Sequence, residues 1–282
     1  MGDGSGLGPP GAWGPGDGNG HGRPGDPGTL GNGAPLPTEW TATVVGHHRI
    51  RHDLAVIRLI GEFVPFVAGQ SVEVTVPQQP SMRRRLSPAL PPSLDGKLEF
   101  HVRTVPGGWC SGSIVADTRP GDEWQIRSPL GGFTIDPAGD EVVMIAGGTG
   151  LAPMRAQILD LARAPEPPRT YLFFGGHTPR DLYASDMLYL LAGELPWLTV
   201  IPVVETPDDP SWVDEWYERS RVNIGFPADE MLFGTLAEVV GSHGAFENHQ
   251  VLVCGSPAMV NATVDRLLAT GTPPERIQFE GL

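Results

Sequence analysis

The stretch Val142-Val143-Met144-Ile145-Ala146-Gly147-Gly148-Thr149-Gly150-Leu151-Ala152-Pro153-Met154 runs an apolar strand into a glycine turn and straight into a helix start. A continuous β-branched and aliphatic run suits a parallel strand covered on both faces. The glycines let backbone approach a ligand closely, and the helix that follows aims its unpaired N–H groups at whatever lies above the turn. A diphosphate is the natural occupant; a tight strand-to-helix connection with no ligand is the plain alternative.

A second segment repeats the pattern near the C-terminus. Val251-Leu252-Val253-Cys254 leads into Gly255, with Ser256 placed as an N-cap and Pro257 at the first helical position. Met259, Val260, Val264, Leu267 and Leu268 then form an apolar stripe that stops before Gly271. Between the two segments, Thr170-Tyr171-Leu172-Phe173-Phe174-Gly175-Gly176-His177 reads as another buried strand, followed by a helical stretch from Arg180 to Leu191. Strands alternating with helices imply a parallel sheet.

Upstream the rhythm changes. Trp40–Gly46, Leu54–Leu59, Ser71–Val76 and Leu98–Arg103 alternate apolar and polar residues, punctuated by Pro77, Pro91-Pro92 and Asp95-Gly96. This predicts a small antiparallel β-barrel over residues 38–137, ahead of an α/β domain over 138–282. Gly112 to Asp117 reads as one short helix. Residues 1–37 are dominated by glycine and proline, so they are expected to be a disordered tail. An acidic, aromatic stretch near 207–232, with Trp212, Trp216 and Tyr217, breaks the sheet rhythm and reads as an insertion.

Composition narrows the function. A net charge of −14 argues against nucleic acid, because the sole concentrated basic run is Arg83-Arg84-Arg85. Two cysteines make no disulfide framework and fall short of the roughly four thiolates an iron–sulfur cluster needs. No apolar run is long enough to span a bilayer and no leader is evident, so a cytoplasmic location is the expectation. His47, His48 and His52 do not share one face of an extended segment and have no thiolate or acid to complete a metal set.

The ordered motifs resemble the ferredoxin-NADP reductase superfamily, and within it the reductase domains of flavohaemoproteins and of bacterial oxygenase reductases. Arg84-Arg85-Leu86-Ser87 is similar to the flavin signature, and Gly107-Gly108-Trp109-Cys110-Ser111 to the turn that holds the flavin pyrophosphate. Gly147-Gly148-Thr149-Gly150, with Pro153, and Cys254-Gly255-Ser256-Pro257-Ala258-Met259 resemble the two pyridine-nucleotide signatures. The resemblance implies an FAD-dependent NAD(P)H oxidoreductase that takes hydride onto FAD and passes electrons to a separate haem protein, globin or oxygenase component.

It also implies roles for single residues. Arg84 would neutralise the flavin diphosphate, and Ser87 would donate a hydrogen bond near flavin N5. His101, Val102 and Arg103 would line the ribityl and phosphate path. Thr149 and Cys254 would sit beside the nicotinamide, and Glu280 close to the flavin. His177 stands where relatives often carry arginine, and Thr178 with Arg180 makes an incomplete 2′-phosphate pocket, which favours NADH. Two departures matter: Leu86 replaces the usual tyrosine, and Gly281-Leu282 lacks an aromatic. Each loses a ring contact worth about 0.5 to 1.5 kcal/mol beyond burial. They motivate the alternative of a catalytically weakened scaffold or interaction protein that retains the reductase fold.

Overall fold

The computed structural model describes residues 38–105, 107–207 and 231–281. The expected N-terminal tail, nearly all of the expected insertion and Leu282 lie outside these residues. Six strands make the first sheet: β1 (Glu39–Arg51), β2 (Leu54–Gly61), β3 (Ser71–Val76), β4 (Gln79–Leu86), β5 (Lys97–Arg103) and β6 (Glu123–Leu130). Their order is β4-β3-β6-β1-β2-β5, and every pairing is antiparallel. A lone bridge between Pro88 and Phe100 brings the chain beyond β4 against β5, which curls the sheet towards closure.

Alternation sets which face is buried. In β3, Val72, Val74 and Val76 point inward while Glu73 and Thr75 are half-exposed. Trp124 on β6 stacks on Phe100 on β5, with centroids 5.8 Å apart, at the heart of this core. Helix α1 (Trp109–Asp117) begins three residues earlier than the sequence pattern implies, and it plugs the sheet with Cys110, Ile114 and Val115.

The second sheet is wholly parallel, with strands β7 (Glu141–Gly147), β8 (Thr170–Gly176), β9 (Leu198–Val204), β10 (Leu232–Phe233), β11 (His249–Gly255) and β12 (Ile277–Gly281). Their order is β10-β9-β8-β7-β11-β12. Helices cover both faces, which is why the strands read as unbroken apolar runs. One face packs Val142, Met144 and Ala146 against α2 (Leu151–Leu161) and α3 (Ser185–Glu194). The other packs Val143 and Ile145 against α4 (Leu236–Ser242) and α5 (Pro257–Ala269).

Strands β7 and β11 are neighbours whose following helices leave to opposite faces. Their C-terminal ends therefore flank the crevice where open α/β sheets bind ligands. The helix expected from Arg180 to Leu191 is instead a single 3₁₀ turn, Pro179–Asp181, followed by α3. A reciprocal capping box between Thr178 and Asp181 closes that turn, and Leu182 leaves helical geometry.

Candidate functional site

A cavity of about 1050 Å³ lies between the two sheets. Its first wall comes from β4, β5 and α1, and its second from the C-terminal ends of β7, β8, β9 and β11. It brings together Arg84, Arg85, Leu86, Ser87, His101, Val102, Arg103, Gly108 and Ser111 on the first side. On the second it gathers Gly147, Gly148, Thr149, His177, Gly255, Pro257 and Met259. Its volume reaches the upper end of ordinary ligand pockets, as an elongated dinucleotide requires.

The two glycine turns interlock. A Cβ on Gly150 would lie 2.2 Å from the Cys254 carbonyl oxygen, and one on Gly255 would lie 2.8 Å from Met259 Sδ. Gly148 has φ +53°, a left-handed conformation that glycine tolerates without strain. Backbone thus forms the cavity floor, where a side chain at 150 or 255 would collide with neighbouring protein atoms.

Each polar side chain on the first wall is placed differently. Ser87 is buried and lines the cavity, and its hydroxyl has no hydrogen-bond partner among the described residues. Such a group is costly unless a ligand completes it. The Arg84 guanidinium donates to the adjacent Arg83 carbonyl at 3.0 Å and has no carboxylate partner among the described residues. Arg85 is committed: its Nη2 lies 2.9 Å from Glu280 Oε1, and its Nε donates to Ser71 Oγ. Burial pushes the Glu280 carboxyl up, against the opposing pull of Arg85 and Ser71. Leu86 packs onto the barrel core and shows its remaining face to the cavity, an aliphatic wall in place of a ring.

Several expected positions lie off the cavity. Trp109 is 82% exposed on the first turn of α1, and Cys110 is 1% exposed and faces the barrel core. Gly107, Gly150, Pro153 and Arg180 do not line it, although Gly150 and Pro153 shape the turn that does. The Cys254 side chain is fully buried beneath the floor, where burial and the neighbouring Glu280 push its thiol well above the usual range. Cys254 contributes its carbonyl contact with Gly150 rather than a thiol at the surface of the cavity. Glu280 sits behind Arg85, lining a shallower groove with Gly131 and Phe279.

Two charged clusters join β5 to the nucleotide side. In the first, Glu99 Oε1 lies 2.9 Å from Arg155 Nη1 of α2 and 3.1 Å from His101 Nε2, and Arg58 Nε donates to Glu99 Oε2 at 2.7 Å. His101 Nδ1 and the Tyr183 hydroxyl lie 2.7 Å apart. Burial pushes the Glu99 carboxyl up, but His101, Arg155 and Arg58 outweigh it and hold it at about 2. Burial lowers the His101 ring below its ordinary value, which keeps it neutral at pH 7. In the second, Arg51 and Arg103 each contact both Asp53 and Asp181, at 2.7 to 3.5 Å. Asp181 and Arg103 line the cavity.

Sequence reasoning missed the wall beyond β9: Glu205, Gly234, Thr235, Leu236 and Ala237 all line the cavity. One signal was available. Thr235-Leu236-Ala237-Glu238 is a capping box, and the structure forms it reciprocally. Among the described residues no three His, Cys, Asp or Glu side chains gather into a metal site, and no helix is long and apolar enough to cross a membrane.

An antiparallel sheet docked on a doubly wound parallel sheet, with one cavity between glycine turns, defines a two-nucleotide oxidoreductase architecture. Comparison with known proteins agrees: residues 41–135 match the oxidoreductase FAD-binding domain and residues 144–265 the oxidoreductase NAD-binding domain. The chain belongs to the ferredoxin reductase-like family of FAD- and NAD(P)-binding oxidoreductases. It is similar to the reductase subunit of an aromatic O-demethylase from Amycolatopsis sp., at 34% identity over 85% of this chain and 68% of that one. It is also similar to the xylene/toluene monooxygenase electron transfer component XylA of Pseudomonas putida, at 28% identity over 86% of this chain. It spans 65% of XylA's length. Among solved structures, a ferredoxin reductase in carbazole 1,9a-dioxygenase superposes with a TM-score of 0.72 at 26% identity, covering 87% of this chain and 70% of that one.

Proposed function

We propose that the protein takes hydride from NADH onto a bound FAD and delivers electrons singly to a separate acceptor, an oxygenase component or haem protein. The observation that carries this reading is the buried Ser87 hydroxyl, without a partner among the described residues, on the same cavity as Thr149. A flavin supplies the two-electron to one-electron conversion; the chain supplies placement. Arg84, with no carboxylate partner among the described residues, would neutralise a flavin diphosphate, and the first turn of α1 after Gly108 would turn its N–H groups to it, while the Ser111 hydroxyl holds the turn by accepting from Val105 N and donating to the Gly108 carbonyl. Ser87 would hold a hydrogen bond to the flavin. Gly147, Gly148 and Gly255 would let the nicotinamide nucleotide lie on backbone, across the cavity from the wall that carries Ser87.

The preference for NADH rests on Glu205. Its carboxylate lines the cavity and lies 2.8 Å from His177 Nδ1. A carboxylate there accepts from ribose hydroxyls and repels a 2′-phosphate. The groups that could have answered a phosphate are engaged elsewhere or lie off the cavity: Thr178 serves the Asp181 capping box, and Arg180 does not line the cavity. Anaerobic mixing of the FAD-loaded protein with each nucleotide tests this. NADH should bleach the flavin at lower concentration than NADPH, and Glu205→Gln should narrow the gap. Equal response to both nucleotides would defeat the NADH assignment, and a protein that binds no FAD would defeat the whole reading.

A further inference from the structure

Strand β5 turns alternate residues away from the barrel core, and each of them meets one residue of the nucleotide side. Glu99 Oε1 lies 2.9 Å from Arg155 Nη1, His101 Nδ1 lies 2.7 Å from the Tyr183 hydroxyl, and Arg103 Nη2 lies 3.5 Å from Asp181 Oδ1. The same end of the strand lines the cavity with His101, Val102 and Arg103. Asp181 closes the capped turn ahead of α3, and Tyr183 follows it by two residues, so both are presented to β5.

In the middle contact the place of every proton is fixed by its neighbours. Glu99 sits between the Arg58 and Arg155 guanidinium groups and is ionised, so it only accepts, and His101 Nε2 at 3.1 Å donates to it. Burial keeps the ring neutral, so Nδ1 carries a lone pair. Burial also holds the Tyr183 phenol protonated. Tyr183 therefore donates to Nδ1, and the ring cannot turn over without losing Glu99. Behind it, the Tyr183 ring meets Phe174 edge-on, with centroids 6.0 Å apart. Phe174 is the register partner of Ala146, which precedes the glycine turn of β7. A continuous path of contacts thus runs from the β5 wall through His101, Tyr183 and Phe174 to that turn.

We propose that Tyr183 is a positioning residue for hydride transfer, acting through His101 to hold β5 at one spacing from the turn that follows β7. The inference rests on the reductase reading above, in which β5 would carry the flavin and the turn the nicotinamide. Tyr183 does not line the cavity, so it acts on what binds there only through its neighbours. Without its hydroxyl, Nδ1 becomes an acceptor stranded in a dry contact, and β5 relieves it by drawing away to admit water. Hydride transfer requires the reacting atoms near contact distance, so such a displacement costs rate before it costs binding.

The substitution Tyr183→Phe removes the hydroxyl and keeps the ring. In stopped-flow reduction of the FAD-loaded protein, the rate at saturating NADH should fall about tenfold, while half-saturating NADH and FAD affinity stay within about twofold of the parent. A general loosening of the fold would weaken binding as well, so equal losses in rate and affinity would overturn the proposal. Nitrogen NMR of the full chain with isotope-labelled histidine supplies a readout free of turnover. At neutral pH the His101 ring should carry its proton on Nε2, and its Nδ1 signal should move in Tyr183→Phe. A proton on Nδ1 in the parent would overturn the proposal. The parent also separates the two levels. If NADH does not reduce its flavin, the reductase reading fails and the positioning role falls with it; if parent and Tyr183→Phe are reduced equally fast, the positioning role alone fails.

Discussion

Strand β5 is tied to the nucleotide side twice, by clusters that share a chemistry and differ in water. Glu99 is 4% exposed and sits among Arg58, His101 and Arg155. The ring of Arg51, Asp53, Arg103 and Asp181 lies at the cavity, with the Arg103 side chain 42% exposed. Arg58 reaches Glu99 from solvent, but the buried part, Glu99 with His101 and Arg155, cannot trade partners without stranding a charge, so it fixes how β5 lies against α2. In the ring the half-exposed Arg103 can trade, while Arg51, Asp53 and Asp181 are mostly covered. Arg103 reaches within 3.6 Å of where a Cβ of Gly148 would stand, so it is placed to leave Asp181 for an incoming phosphate oxygen. One cluster therefore holds the two halves in register, and the other lines the space between them.

The sharpest way to break this contrast is Glu99→Gln, which leaves Arg155 and Arg58 without their carboxylate. It should lower unfolding stability by about 3 kcal/mol in urea titration; a loss below about 1 kcal/mol would put Glu99 on a par with a surface pair. Acid gives the second test. The Glu99 carboxyl is held at about 2, below its reference 4.5. Its contribution is complete above pH 4.5 and is lost as pH falls from there towards 2. The stability difference between the parent and Glu99→Gln should accordingly shrink over that window, and a constant difference would exclude the mechanism. The smallest effect belongs to the ring. Asp181→Asn should cost less than about 1 kcal/mol of stability. It should also tighten NADH binding by up to about twofold at low salt, an advantage that screening erases near 0.5 M. Weaker binding at low salt would mean that Asp181 orients Arg103 instead of competing for it.

Legibility in the sequence followed the number of constraints on each residue. The run from Val142 to Ala146 is buried on both faces, so no polar residue interrupts it and its strand is plain. Strand β4 carries Pro80 and three arginines because one face meets the cavity and solvent, and it shows no alternation to read. In β6, Trp124 and Ile126 do alternate, but Pro129 and the charges around them mask the pattern. The glycine turns were legible because close approach excludes every other residue. The wall from Glu205 to Ala237 was not, since it joins a strand end to a helix start across residues that follow no motif. Arg85 illustrates a subtler gap. Sequence puts it beside Arg84 in one signature, while in the fold alternate residues face opposite ways and Arg85 turns to Glu280.

The contact between Gly150 and the Cys254 carbonyl has a bearing on redesign. The two turns are seated backbone to backbone, so neither can be grafted from another reductase without carrying its mate along. Any side chain at 150 would lever β11 away from β7 and widen the floor under both nucleotides. Efforts to change which dinucleotide the protein accepts should therefore leave the loops intact and work from the rim, at position 205, where a new side chain meets the cavity and not the scaffold.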